Sequence, residues 1–184
     1  MADVARGLFA GGLSGVAATV PMTLVMEAAY RALPPGEKRG PLPPREITMK
    51  AADAVGVEDD LSEPQKKGLT GLAHFAYGAG AGSVYGAVAP HLPLGPVGNG
   101  IAYGLAVWTG SYLGWLPAAG VLPPATREPA GKNAVMIAAH VVWGATLGLL
   151  TAALTRPRDE EEAANRESDS ARPVAAYVPA PATI

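Results

Sequence analysis

The chain has 184 residues, no cysteine and a formal net charge of −2. Its length suits one domain, the missing thiols exclude disulfides and cysteine chemistry, and the near-neutral balance provides no basic field for nucleic acid. The charges are segregated, however: 68–126 is a run of 59 residues without Asp, Glu, Lys or Arg, whereas a soluble domain carries about 25% charged residues.

Uncharged stretches at 7–26 and 133–155 match one membrane crossing each, and the long run matches two crossings and a turn, given that a helix needs about 20 apolar residues to span the hydrocarbon. The mean hydropathy of +0.18 averages over this pattern. In chain order, the first helix is expected at 4–33. Arg6 is offset by Asp3 and glycines break the apolar core, so it reads as a retained helix and not a cleaved leader. Pro21 should kink it or loosen one turn. Gly7, Gly11 and Gly15 recur every four residues, a spacing that lets helix backbones approach closely in lipid.

A polar, proline-rich loop follows at 34–61. Within it, 45–57 reads as a short amphipathic helix with Ile47, Ala51, Ala54 and Val55 on one side, lying on the membrane surface or capping the bundle. The second long helix is expected at 62–89. Ser62 and Gln65 form a capping box and Pro64 stands in the first turn. A turn rich in proline at 90–96 leads to a third helix at 97–116. The segment 117–131 suits a shallow re-entrant loop, and a fourth helix is expected at 133–155. From 156 to 184 the chain is charged, then rich in Ala and Pro, and cannot bury a core. The expected architecture is all-α: a polytopic four-helix transmembrane bundle over 1–155 with a disordered tail over 156–184.

Two of these helices share a pattern, Ala73-His74-x-x-Tyr77-Gly78-Ala79 with Gly82, and Ala139-His140-x-x-Trp143-Gly144-Ala145 with Gly148. It suggests a duplicated helical hairpin whose copies are related by an axis along the membrane normal. Gly11, Gly15, Gly78, Gly82, Gly144 and Gly148 are the expected packing faces, serving either the internal bundle or a homo-oligomer. At about 1.5 Å rise per residue, Glu27, His74, Tyr112 and His140 fall near one level under one face. Ionisable groups in a membrane are costly and tend to face the bundle interior, so the four are candidates for a shared proton or ligand site. The competing reading pairs Glu27 with Arg31 one turn on and leaves each histidine as a hydrogen bond between helices. No tight metal-ligand spacing occurs and no nucleophile motif has a partner base, so no metal, cofactor, catalytic residue or enzymatic activity is expected. The expected partner is the lipid bilayer.

The runs Ala73-His74-Phe75-Ala76-Tyr77-Gly78, Gly104-Leu105-Ala106-Val107-Trp108-Thr109-Gly110-Ser111-Tyr112-Leu113-Gly114-Trp115-Leu116-Pro117, Leu122-Pro123-Pro124-Ala125 and Met136-Ile137-Ala138-Ala139-His140-Val141-Val142-Trp143-Gly144 resemble the YagU-like family of bacterial inner-membrane proteins. The resemblance spans roughly 7–155 and implies a multi-pass protein of the inner (plasma) membrane. It implies no activity and supplies no catalytic residues. It leans toward both termini inside, whereas the lysines and arginines of the first and third loops argue for those loops in the cytoplasm. Two function classes follow: a channel, transporter or proton-responsive protein using the polar layer, or a structural protein whose loop helix and tail bind partners.

Overall fold

The computed structural model describes residues 2–156, so the tail beyond Arg156 lies outside the described residues. Among them every regular element is helical. α1 (Ala2–Ala32) runs without a break through Pro21; the proline removes one hydrogen bond, to the Ala17 carbonyl, and the expected kink does not divide the helix. α2 (Pro43–Ala54) begins on two prolines, whose fixed φ suits a first turn, and ends at Gly56, which takes φ +72°. α3 (Glu63–Val88) is capped as expected, with the Ser62 N–H donating to Gln65 Oε1 at 2.9 Å. Asn99 ties the turn before α4 (Gly95–Thr109): Oδ1 accepts from the Leu94 N–H at 2.8 Å and Nδ2 donates to the Leu92 carbonyl at 3.0 Å. α4 gives way to a π-helical turn over Gly110–Trp115 and a short turn over Leu116–Ala118. α5 (Ala130–Thr155) starts where the Gly131 N–H donates to the Glu37 carboxylate at 2.7 Å.

Two antiparallel helix pairs meet backbone to backbone. In the first, Gly15 of α1 lies on Gly78 of α3, Gly11 on Gly82, and Gly7 on Gly86; a Cβ at any of them would overlap the facing backbone or, at Gly78, the Thr19 hydroxyl. In the second, Gly100 of α4 lies on Gly144 of α5, with Gly148 against Pro96 and Gly104 against the His140 carbonyl. The registers coincide: Gly11 and Gly15 face Gly82 and Gly78 as Pro96 and Gly100 face Gly148 and Gly144. The glycine faces are therefore occupied by the chain's own helices.

The pairs join along α1 and α5 through a core of Ala18, Met22, Met26, Val135, Met136, Ala139, Trp143 and Leu147. The helices thus run α3, α1, α5, α4 across the bundle. α3 and α4 close the circuit without a backbone seam, through side chains that reach across, as where the Tyr103 hydroxyl donates to the Ala81 carbonyl at 2.8 Å. α2 lies against α3 and buries Pro43, Thr48, Met49 and Ala52. This corrects the expected face: Ala51, Ala54 and Val55 are exposed and only Ile47 of that set turns toward the bundle.

Two helices, Asp3–Ala32 and Ala130–Thr155, are long and apolar enough to cross a membrane. The other two long helices differ from the expectation of four clear spans for physical reasons. α3 spends much of its length on glycine, which contributes little apolar surface, and α4 holds α-helical geometry for 15 residues before the π turn takes over.

A cavity between the helix pairs with one histidine from each

A partly open cavity of about 260 Å³ lies between the helices beneath α2. Its walls come from α1 (Thr19, Met22), α3 (Ala73, His74, Tyr77, Gly78), α4 and its π turn (Val107, Ser111, Tyr112, Trp115) and α5 (Met136, His140, Trp143), with Pro44, Ile47 and Thr48 of α2 as the roof. No Asp, Glu, Lys or Arg lines it.

The local sequence fixes each ring. His140 is buried, and its Nδ1 stands 2.7 Å from the Met136 carbonyl one turn back. A carbonyl only accepts, so Nδ1 carries the proton and Nε2 is the ring's free acceptor. His74 Nδ1 stands 3.4 Å from Thr23 Oγ1, whose own proton is committed to the Thr19 carbonyl at 2.7 Å. Nδ1 is again the donor, by the same reasoning, and Nε2 the acceptor. Tyr112 meets His140 edge to face, with ring centroids 6.0 Å apart, and stacks on Trp108. Trp143 donates from Nε1 to the Gly15 carbonyl at 3.3 Å, fixing the wall between the two pairs.

Of the four residues singled out in the sequence, His74, Tyr112 and His140 line this one cavity and Glu27 does not. Glu27 is paired with Arg31 at 2.6 Å on the outside of α1. Helical geometry explains it: Met22 and Met26 turn inward one turn apart, and the next residue after Met26 lies about 100° further round the helix. The glycines Gly11, Gly15, Gly78, Gly82, Gly144 and Gly148 all sit on the two backbone seams, and Gly78 also reaches the cavity wall. Sequence reasoning assigned no site role to Tyr77, Ser111, Thr19, Thr23 or the α2 roof. A signal existed for two of them, since Tyr77 is the aromatic of the repeated pattern and Ser111 directly precedes Tyr112 in the chain. Among the described residues no group of three His, Asp or Glu side chains is placed to hold a metal.

A family model described as a protein of unknown function, DUF1440, matches residues 23–149. The chain belongs to this family. The DUF1440 match begins at Thr23 of α1 and ends at Leu149 of α5, so it takes in both histidines, Tyr112 and the α2 roof, while the Gly7, Gly11 and Gly15 face precedes it. No curated protein and no solved structure matches the chain.

Proposed function

We propose that this DUF1440 protein is a four-helix bundle of the membrane, built from two related helix pairs, whose central cavity binds a small solute and responds to protonation of His74 and His140. The observation that carries the reading is that the two histidines of the repeated pattern, one from each pair, line a single cavity. Buried ionisable groups that share a cavity are strong candidates for a functional site. The membrane part of the reading rests on the absence of charge from 68 to 126, which covers most of α3 and all of α4, together with the two apolar helices α1 and α5. The coincident glycine registers support the duplication, and the resemblance to the YagU-like family supports the inner (plasma) membrane. A structural or interaction protein is the second reading. It is favoured by the intrahelical bond of His140 to Met136, which a purely architectural histidine would also make.

The test is a pH titration of tryptophan fluorescence in nanodiscs. Trp143 shares the cavity with both rings, and an imidazolium quenches a neighbouring indole whereas a neutral imidazole quenches it far less. The wild-type emission should change on acidification as the rings take up protons, and that of His74→Phe/His140→Phe should not. A folded double variant with an unaltered titration removes the histidine site and leaves the structural reading.

A further inference from the structure

The cavity has one wall made of side chains alone. Where α3 and α4 stand apart, Tyr77, Ser111 and Trp115 fill the gap: the Tyr77 hydroxyl lies 3.1 Å from Ser111 Oγ, and Trp115 Nε1 donates to the same oxygen at 3.3 Å. All three line the cavity, and all three also line a shallow groove on the outer side, together with Gly80, Ala81 and Gly110. Tyr77 and Trp115 are each 48% exposed, so this thin partition stands between the cavity and the outer groove. Every residue of the groove falls inside the uncharged run 68–126; in the membrane reading, on which this inference rests, the groove faces hydrocarbon. The π-helical turn over Gly110–Trp115 supplies two of the three side chains, and such turns recur at functional sites.

We infer that the cavity is loaded sideways from the bilayer, through the Tyr77–Ser111–Trp115 partition, by a small neutral molecule with an apolar body and one hydroxyl or N–H donor. The lining chooses the ligand. With no Asp, Glu, Lys or Arg in the wall and both imidazoles in the neutral form that offers Nε2 as acceptor, a fully charged ligand would lose its hydration without a counter-ion. Both Nδ1 atoms are committed, so His74 and His140 offer Nε2 lone pairs, which a donor on the ligand satisfies. The remaining surface is largely aromatic and aliphatic, and the volume of about 260 Å³ falls just below the roughly 300–1,000 Å³ of pockets for drug-sized ligands. The partition can open without moving a helix axis, because exposed side chains change rotamer in picoseconds to nanoseconds.

The probe is 4-bromophenol, whose bromine quenches indole on contact, compared with 4-bromotoluene, the same shape without the donor. In nanodiscs carrying the full chain, 4-bromophenol should give a saturable component of quenching that His140→Phe loses, with affinity about tenfold above that of 4-bromotoluene, the size expected of one buried hydrogen bond. Gly80→Leu and Gly110→Leu add bulk to the groove at positions where a Cβ meets nothing within 4 Å. In stopped flow both should slow association and dissociation alike, by about tenfold, whereas Tyr77→Phe, which frees the partition from Ser111, should speed both. Rates indifferent to all three variants overturn the lateral route. Equal affinity for the two bromides overturns the donor requirement, and quenching without a saturable component overturns the ligand class. None of these outcomes touches the pH titration above, which judges the histidine site independently.

Discussion

The glycines show how sharply this fold discriminates between identical residues. A Cβ on Gly82 would run into the Gly11 carbonyl and the Gly15 Cα, both backbone, whereas one on Gly80 in the same helix meets nothing. Backbone cannot rotate aside, so Gly82→Ala should destabilise the protein by about 1–3 kcal/mol as an overpacked contact. Gly80→Ala should be neutral or stabilising by up to ~1 kcal/mol through helix propensity. Thermal midpoints in detergent separate the two; equal midpoints would mean that α1 and α3 do not touch at this seam. Lys132 gives a second residue-level case. It is 4% exposed, pairs with Glu128 at 3.0 Å and donates to the Arg39 carbonyl at 2.8 Å. Breaking a buried pair leaves one charge uncompensated, at a cost of about 3–5 kcal/mol. Lys132→Met should therefore unfold far earlier on heating, and Lys132→Met/Glu128→Gln should recover much of the loss. A double variant no better than the single would show that the carboxylate is not the strained partner.

Among the elements, α2 is joined to α3 by an ion pair that titrates. Arg45 on α2 holds the Glu63 carboxylate at the start of α3 through bonds of 2.9 and 3.0 Å. Those hydrogen bonds, and then the guanidinium charge, keep the Glu63 carboxyl below the usual carboxylate range. A depressed pKa means that the contribution is present above the ordinary carboxylate pKa and is lost as the pH falls through the depressed value. Because both partners are solvated, the contribution is small and weakens in salt. Acidification below about pH 4 should loosen α2 over the cavity, read as shifts in the Thr48 and Met49 amide resonances. Glu63→Gln should show the loosened spectrum at every pH. An α2 that stays docked at low pH would assign its position to the buried Pro43, Thr48, Met49 and Ala52 face alone.

At the scale of the molecule, the two halves share a register yet do not close symmetrically. The α1–α5 contact is filled with Met22, Met26, Met136 and Trp143, while its counterpart between α3 and α4 is the partitioned gap. Long and flexible methionine side chains fill irregular space, whereas glycine and alanine at Gly80, Ala81 and Gly110 leave it open. The four-crossing reading is tested by reporter fusions after residues 60, 94, 125 and 156, which should alternate between the two sides of the membrane. Fusions at 60 and 94 reporting the same side would remove α3 as a span and, with it, the hydrocarbon-facing groove.

The sequence by itself determined the helical class, the approximate ends of the long helices and the glycine faces, because each depends on local chemistry: the uncharged run at 68–126, the Ser62–Gln65 cap, and a four-residue spacing that one turn of helix makes contiguous. It also led to the expectation of Glu27, His74, Tyr112 and His140 near one level, since rise per residue alone sets that coordinate. Depth says nothing of azimuth. Only the tertiary structure could turn Glu27 outward to Arg31, turn both histidines into one cavity, bury the Thr48 and Met49 face of α2 rather than the Ala51 and Val55 face, and choose α1 with α5 over α3 with α4 as the filled contact. The rotation of a helix about its own axis is decided by which neighbours its side chains meet, and those neighbours come from distant parts of the chain.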